Sequence, residues 1–273
     1  MKKILLYALV SLWTCQSCQP LRQLEKFQQY DHHPKFIYST TLEYTDDSWK
    51  TIQHDTLSFN DIGLLESHKT IVSYPMHKHI ERNNTYKFSK KKVIVKFEKI
   101  RNNQYSEHTV THKYDKHNNK VREEYQSDIV HSIVHFKYNS NGDVEEKVRH
   151  NDKKIGLIIR YEHDYDKMEM TQRHYTPVGD LVSSIKVSYD EKGNEISKVS
   201  RNEDQEITMR LEFTYNEHGD ETSMKKTFFE DGVLKKTILL ERAYKYNAHN
   251  AFTEKKFIMN GKPDRLLKKE FVY

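Results

Sequence analysis

Cysteine, glycine and long apolar runs are scarce in this chain of 273 residues. Its only two cysteines, Cys15 and Cys18, lie close to the start, so the rest of the chain offers neither a thiol nucleophile nor a disulfide. With eight glycines, and without a Gly-rich phosphate loop or a GxSxG motif, the sequence carries no signature of nucleotide binding or serine hydrolysis. No stretch after residue 18 approaches the roughly 20 apolar residues that a membrane-spanning helix needs.

An excess of one charge is also absent. The chain has 45 Lys and Arg against 40 Asp and Glu, interspersed along its length. Nucleic-acid binders usually carry a one-sided basic field, so we expect no nucleic-acid partner, and we interpret the run at residues 90–92 as a solvated turn. Mean hydropathy is low, at −0.92. The 18 Tyr and 12 Phe nevertheless favour a folded β-protein over disorder, because they form strands and bury large areas.

The first 17 residues have the pattern of a bacterial signal peptide. Lys2 and Lys3 precede an uncharged, mostly apolar run over residues 4–13. That run is too short to cross a bilayer as a helix and fits the apolar region of a leader.

The two cysteines lie where such a leader is cleaved. Cys18 follows the small Ser17 and is the predicted lipidation site, while Cys15, with Leu12 three residues before it, is the alternative. We expect a lipoprotein of the cell envelope, anchored to the outer membrane by its N-terminal lipid and facing the periplasm or the surface. Residues 18–35 are then a tether.

A short motif recurs through the second half of the chain. It has an aromatic residue, then Asp or Asn, and Gly or Asn three residues after that. The Asp or Asn side chain can bond backbone further along and start a turn, and the Gly or Asn supplies the positive φ that closes it. The clearest copies carry Tyr114, Asp115, Tyr138, Asn139, Gly142, Tyr189, Asp190, Gly193, Tyr215, Asn216 and Gly219, with weaker copies from Tyr165 and Tyr246 and a degraded one from Phe59.

Apolar and polar residues alternate before these turns. Met209, Leu211 and Phe213 fall on one face of a predicted strand, and Arg210 and Glu212 on the other. A second class of turn lies between the motifs, at residues 151–152, 177–180, 202–204, 231–232 and 260–261. Each repeat is therefore predicted to be two strands and two turns, over residues 106–273, and the product is an antiparallel β-meander.

The motif resembles the YD repeats of Rhs-type bacterial surface proteins, over about residues 105–250. The resemblance implies a repeated sheet and a surface setting. Two departures separate this chain from the family. Asp143, Asn194 and Asp220 occupy a position that is usually Arg, and the copies are too few to enclose a cargo. The resemblance therefore implies no encapsulating role.

Residues 36–105 also read as strands, although the turn motif is weak there. The predicted strands are at residues 36–44, 50–59, 69–74, 85–88 and 92–100. We interpret this part as a capping region that covers the first edge of the repeat sheet. The predicted fold is all-β, a meander of hairpin repeats that forms a curved open sheet or half-barrel.

Candidate catalytic and metal-binding residues are weakly supported. His108 with His112 and His131 with His135 are four apart, which on a strand separates them by about 13 Å. His77 and His79 are a closer pair, at alternate positions. We predict no metal site and no cofactor. Neighbouring carboxylates such as residues 123–124 and 145–146 point to opposite faces of a strand, so we predict no catalytic site and no enzyme.

The repeated tyrosines are best explained as structural, with rings that pack and hydroxyl groups that reach the turns. The alternative is an exposed platform for sugars or proteins. Three functions remain as hypotheses: a non-enzymatic binding or scaffold module for a protein or glycan, an immunity-type lipoprotein that neutralises a toxin, and a polymer hydrolase. A concave groove with exposed aromatic rings would favour the first. Two carboxylates converging from different strands would favour the third.

Overall fold

The computed structural model describes residues 34–61, 63–74, 77–89, 91–101, 104–152 and 154–273. These residues form β-strands joined by turns, and no helix among them is long and apolar enough to cross a bilayer. In chain order the strands are β1 (Phe36–Thr45), β2 (Ser48–Phe59), β3 (Leu65–Tyr74), β4 (His77–Ser89), β5 (Lys92–Arg101), β6 (Gln104–Tyr114), β7 (Lys120–Ser127), β8 (His131–Tyr138), β9 (Val144–Asn151), β10 (Lys154–Asp164), β11 (Glu169–Tyr175), β12 (Leu181–Tyr189), β13 (Glu195–Arg201), β14 (Ile207–Tyr215), β15 (Glu221–Glu230), β16 (Val233–Tyr246), β17 (Phe252–Met259) and β18 (Lys262–Val272).

The strands belong to one 18-stranded antiparallel sheet, which confirms the predicted all-β meander. The predicted open sheet or half-barrel is wrong. Strand β1 pairs with β2 on one side and with β18 on the other, where Phe36 lies opposite Val272 and Ile37 opposite Phe271. The sheet therefore closes into a β-barrel. Closure is favourable because an edge strand would expose a row of unpaired backbone N–H and C=O groups.

The sheet comprises two compact units, which we describe separately. The first unit contains residues 132–242 and 259–261, and the second contains the described residues up to 131 together with 243–258 and 262–273. The division between capping region and repeats near residue 105 stays a prediction.

The second unit buries two apolar clusters. Ile37, Phe59 and Leu65 form one of them, and Val93, Val95 and Tyr114 form the other. Tyr86 packs against both clusters, so apolar contact continues from β1 to β6. The first of the repeated tyrosines thus belongs to a core.

The first unit shows the predicted alternation. Along β14, Met209, Leu211 and Phe213 are half-buried, whereas Arg210 and Glu212 between them are exposed. Ion pairs cross the strands on the exposed face, such as Lys225 Nζ to Glu212 Oε2 at 3.2 Å and Lys186 Nζ to Glu169 Oε2 at 2.8 Å. Period-two alternation places packing on one face and charge pairing on the other.

The hairpin at Tyr138 shows how the repeated turn is built. The N–H of Asn139 donates to Asp143 O at 2.9 Å, and the N–H of Gly142 donates to Asn139 O at 3.1 Å. The side-chain Oδ1 of Asn139 also accepts the N–H groups of Asn141, at 3.0 Å, and of Asp143, at 2.9 Å. Gly142 closes the turn with a φ of 84°. The Asx side chain therefore satisfies backbone donors that the strands leave unpaired.

A β-bulge follows this turn. Tyr138 lies opposite Val144 and Lys137 lies opposite Glu146, so Glu145 is the extra residue. The same shift in register recurs in other described hairpins, where the residue before the turn pairs with the residue six positions later. The residues before these turns are Phe59, Tyr114, Tyr175, Tyr189, Arg201 and Tyr215.

Two turns that the sequence places in the second class have the first-class geometry. Oγ1 of Thr176 accepts the N–H of Asp180 at 3.1 Å, and Oδ1 of Asn202 accepts the N–H of Glu206 at 2.9 Å. A Thr hydroxyl group substitutes for the Asx side chain in the first. In the second, Arg201 stands where the motif has Tyr.

The remaining second-class turns are two-residue hairpins. Asp231 and Gly232 have φ values of 51° and 71°, and Asn260 and Gly261 have values of 50° and 79°. Positive φ at both central residues is the type I′ pattern, which Asp-Gly and Asn-Gly favour because it matches strand twist.

Candidate functional site

A polar groove of about 650 Å³ lies in the first unit, beside the turn between β10 and β11. Four acidic residues line it: Glu162, Asp164, Asp166 and Glu169. The other lining residues are His163, Tyr165, Thr171 and Lys186. Strand register produces this grouping, because Glu162 lies opposite Thr171, and Thr171 lies opposite Lys186 on the next strand. The three side chains therefore form a row across β10, β11 and β12.

Basic side chains hold two of the four carboxylates of the groove, those of Glu162 and Asp164, in their ionised form. Glu162 pairs with Arg173, and this hydrogen bond holds the pKa of the Glu162 carboxyl below its usual range against the opposing effect of burial. Asp164 Oδ2 lies 2.8 Å from Lys167 Nζ, and that hydrogen bond lowers its pKa too. The groove therefore presents hydrogen-bond acceptors at neutral pH.

Tyr165 fixes an aromatic ring at the edge of the groove. Its ring stacks on His163 with centroids 5.9 Å apart and an interplanar angle of 13°. Its hydroxyl group donates to Asp143 Oδ2 at 2.6 Å and accepts from Asn139 Nδ2 at 3.1 Å. The ring is thus held by a repeat turn, yet 39% of the residue is exposed. Tyr165 is not a copy of the motif. It lies inside the turn between β10 and β11, whereas a motif tyrosine is the last strand residue before its turn.

His163 is fixed on its other side by the backbone. Its Nε2 lies 3.0 Å from Val144 O. A carbonyl oxygen only accepts, so Nε2 carries the proton and donates. Val144 begins β9 directly after the turn that also binds Tyr165, so one turn orients both rings of the stack.

Two carboxylates from neighbouring strands, Glu162 on β10 and Glu169 on β11, converge in the groove. This is the arrangement that would favour a hydrolase. A glycosidase also needs a carboxyl group whose pKa is raised so that it can donate a proton. Among the described carboxyl groups, every resolved pKa shift is downward. The groove is better suited to accepting hydrogen bonds than to donating protons.

The repeat tyrosines lie outside the groove and pack individually. Tyr114 is buried among Val93 and Val95. Burial raises the pKa of the Tyr189 hydroxyl group to about 12. The Tyr215 hydroxyl group donates to a backbone oxygen at 2.8 Å, and Tyr138 is half-buried. Their positions agree with a structural role. Cys15 and Cys18, with the leader and the tether up to residue 33, lie outside the described residues.

The histidines that lie four residues apart on a strand each contact a different partner. His108 stacks on Phe97 with centroids 4.5 Å apart, and burial lowers its pKa. His112 Nδ1 lies 3.3 Å from Glu123, without the angle of a hydrogen bond. His131 contacts Glu124 at 2.9 Å, and the ring of His135 meets the His150 ring edge-on at 5.5 Å.

Within the described ranges, no three metal-ligating side chains are placed to hold an ion. The side chains of His77 and His79 lie outside the description. The prediction that the chain has no metal site therefore stays a prediction for residues outside the described ranges.

Sequence analysis missed a polar network in the second unit. Asp55, which is 8% exposed, accepts hydrogen bonds from Gln53 Nε2 and Thr70 Oγ1, both at 2.7 Å. His68 Nε2 lies 3.0 Å from the same carboxylate. The same nitrogen is 3.3 Å from Thr70 Oγ1. The imidazole therefore does not relay a proton between Asp55 and Thr70, as a catalytic triad requires.

Solved structures that align with the chain include two porin-like proteins and a TcdB2-TccC3 structure. A porin-like protein from Bacteroides uniformis has 12% identity over 87% of this chain and 96% of its own, with a TM-score of 0.48. A porin-like protein from Bacteroides vulgatus has 9% identity over 88% and 99%, with a TM-score of 0.42. The TcdB2-TccC3-TEV structure has 11% identity over 84% of this chain and 15% of its own, with a TM-score of 0.28.

No family model matches the sequence, and no curated protein does.

Proposed function

We propose that this protein is an exported lipoprotein of the cell envelope, acylated at Cys18, that binds a neutral glycan without cleaving it. The signal-peptide pattern of residues 1–17 supports export and acylation, and the resemblance to YD repeats supports a surface setting. The polar groove of the first unit is the proposed glycan site.

The observation that carries the binding proposal is the exposed ring of Tyr165 beside the ionised carboxylates of Glu162 and Asp164. Sugars have hydroxyl groups that donate to carboxylates and C–H faces that pack on aromatic rings. The Tyr165 ring is already fixed by its two hydrogen bonds and its stack, so little side-chain entropy is lost on binding.

The charge of the groove selects the class of glycan. Four carboxylates line it, against Lys186 in the lining and Arg173 and Lys167 just outside it, so negative charge is in excess by one. An anionic polysaccharide would be repelled, so the proposed ligand is a neutral glycan.

A glycan array probed with the detergent-solubilised, lipidated protein tests this proposal. We expect neutral oligosaccharides among the hits, and a Tyr165→Ala variant should bind them about tenfold more weakly, the equivalent of about 1.4 kcal/mol. Tyr105→Ala is the matched control, because Tyr105 is 56% exposed on the second unit and does not line the groove. An array without hits, or equal binding by Tyr165→Ala, would sink the glycan proposal.

Intact-mass measurement of the membrane-extracted protein tests the anchor. We expect the mature chain to begin at an acylated Cys18, and Cys18→Ala to abolish acylation. Cys15→Ala is the control and should be processed normally. Acylation that persists in Cys18→Ala and is lost in Cys15→Ala would assign the anchor to Cys15.

A further inference from the structure

The second unit carries three basic side chains directly opposite one another on neighbouring strands. Lys92 on β5 lies opposite Lys113 on β6, and Lys113 lies opposite Arg122 on β7. Lys92 and Lys113 are exposed, and Arg122 is half-buried. Opposed like charges on one face of a sheet destabilise it, so this row opposes folding.

Glu124 is the acidic residue that offsets the row: it pairs with Arg122, and its charge also attracts that of Lys113. Arg122 Nη2 lies 3.0 Å from Glu124 Oε2, and the other oxygen of that carboxylate lies 2.9 Å from His131. Glu123 points to the opposite face, where it lies across from His112. Within the part of the chain that the structure describes, neither Lys92 nor Lys113 forms an ion pair. The row is therefore a concentrated positive charge.

Two further lysines extend the charge into the adjoining turns. Lys91 directly precedes β5, and its carbonyl oxygen accepts the N–H of Tyr114 at 2.9 Å, where β6 ends. Lys116 lies in the turn after β6, and both lysines are exposed. We call Lys91, Lys92, Lys113, Lys116 and Arg122 the basic rim.

The chain enters the second unit at the same end of the strands as the basic rim. Lys35 donates its N–H to Val272 O at 2.7 Å, and its carbonyl oxygen accepts the N–H of Phe59 at 3.0 Å. Successive strands of an antiparallel meander run in opposite directions. The first residues of β1 and β5 and the last residues of β2 and β6 therefore lie at the same end of the strands. Phe36 and Tyr38, at the start of β1, are 39% and 43% exposed.

The opposite end of the same strands differs in charge. The turn between β1 and β2 consists of Asp46 and Asp47, which are both exposed. Trp49 lies just beyond this turn, with its ring 5.0 Å from that of Tyr44. Asp46 is paired with Lys50, whose Nζ lies 2.6 Å from Asp46 Oδ2. The two ends therefore differ in one respect: the near end carries the row of opposed basic residues, although Asp61 and Asp115 lie in its turns, and the far end carries the Asp46–Asp47 turn.

We propose that the basic rim docks on anionic phospholipid headgroups of the membrane that holds the lipid anchor. The inference rests on the proposed acylation, because residues 18–35 would connect the lipid to this end of β1. Clustered basic residues next to an anchor are drawn to anionic headgroups, and a lipid with a basic patch holds a protein more stably than a lipid alone. Aromatic side chains such as Phe36 and Tyr38 suit the headgroup region.

Tryptophan quenching in vesicles tests the orientation. Trp13 belongs to the leader, so the mature chain has Trp49 alone, which reports the far end of β1. A second protein carries Phe36→Trp with Trp49→Phe and reports the near end. Both are reconstituted, lipidated, into vesicles of phosphatidylcholine with or without phosphatidylglycerol, with a nitroxide on a fraction of the headgroups. We expect quenching of the tryptophan at position 36 in the anionic vesicles, and of Trp49 in neither.

Charge variants identify the residues responsible. Lys92→Gln with Lys113→Gln should abolish the quenching at position 36, whereas Lys92→Arg with Lys113→Arg should retain it. Arg101→Gln with Lys262→Gln is the matched control at the other end and should leave quenching unchanged. Raising the salt concentration to 1 M, where the Debye length falls to about 3 Å, should remove the quenching in the parent protein.

The outcomes separate the two proposals. Intact mass is measured first on the same samples. If the protein is acylated but position 36 is not quenched in anionic vesicles, docking is wrong and the anchor stands. If quenching at position 36 is the same in the lysine-to-glutamine variant as in the parent protein, the role of the basic rim is also wrong. If no acyl group is present, the proposed anchor is wrong, and the docking inference falls with it.

Discussion

The hydroxyl group of Tyr215 donates a hydrogen bond to the backbone oxygen of Glu195, 2.8 Å away and 20 residues earlier in the chain. Glu195 is the first residue after the preceding Tyr-Asp turn. The bond therefore joins one hairpin repeat to the one before it. Tyr165 does the same with its hydroxyl group and the turn at Asn139. In both cases a tyrosine hydroxyl group adds a side-chain bond at the end of two strands that also pair through their backbones, β13 with β14 and β9 with β10.

Tyr215→Phe should cost about 1 kcal/mol of the free energy of unfolding, because Glu195 O loses its partner while the ring keeps its packing. Denaturant titration measures the change. Tyr105→Phe is the control, since the hydroxyl group of Tyr105 bonds to Glu107 on the exposed face of the sheet, and its loss should change stability little. Equal effects of the two substitutions would show that the link between repeats contributes nothing.

Gly219→Ala should destabilise the protein by about 1 kcal/mol through backbone conformation alone. The φ of Gly219 is 76°, and no atom lies within 4 Å of the position that a Cβ would take. Gly219→Asn should cost less, because Asn118 and Asn250 close equivalent turns with φ values of 65° and 57°. Thermal unfolding of the two variants measures the difference, and an alanine variant as stable as the asparagine variant would contradict it.

The Glu123 carboxyl group should make stability depend on pH in acid. Its contact with His112, aided by Lys120 and opposed by burial, lowers its pKa from 4.5 to about 2. The folded state thus binds the proton less tightly than the unfolded state, so the stabilisation is present above about pH 4.5 and is lost as pH falls toward 2. The side chain is 34% exposed, so we expect about 1–2 kcal/mol.

Denaturant titrations between pH 2 and pH 6 measure this dependence. Glu123→Gln should be less stable than the parent protein at pH 6, and the difference should shrink as the pH falls. A constant difference across this range would show that the carboxylate does not titrate as described.

Lys113→Glu should stabilise the fold while it removes membrane docking. The substitution turns two repulsions, with Lys92 and Arg122, into attractions, while the attraction of Lys113 to Glu124 becomes a repulsion. The net effect should raise the free energy of unfolding by about 0.5 kcal/mol. Lys137→Glu is the opposite control, because Lys137 Nζ lies 3.2 Å from Glu145 Oε2 and the change creates repulsion there. Thermal unfolding in low salt compares the variants. A destabilised Lys113→Glu would mean that the row is not repulsive.

Local features of this fold are readable from the sequence, and long-range ones are not. The alternation around Leu211 and the turn at Asn139 depend on residues a few positions apart, so strands and turns could be predicted. The pairing of Phe36 with Val272 links opposite ends of the chain, and no local pattern distinguishes a strand with one neighbour from a strand with two. The open sheet was therefore the wrong expectation.

The groove could not be predicted from the sequence, because it too depends on contacts between strands. Its row of Glu162, Thr171 and Lys186 depends on register across three strands, and each bulge shifts that register by one residue. Tyr165 looked like a repeat tyrosine because Asp follows it, yet its turn starts one residue earlier, at Asp164. Thr176 was overlooked as a turn residue because its hydroxyl group performs a task that the motif assigns to Asp or Asn.

The pairing of β1 with β18 also has a consequence in time. Strand β1 is synthesised before the other described strands, and both of its edges are paired only once β18, the last of them, is available. Contacts at such separation slow folding, and an open strand edge in the interval invites pairing with other chains. The time for which the unfinished sheet keeps an open edge, rather than the stability of the finished sheet, then governs the risk of aggregation during folding, and a holding chaperone would act in that interval.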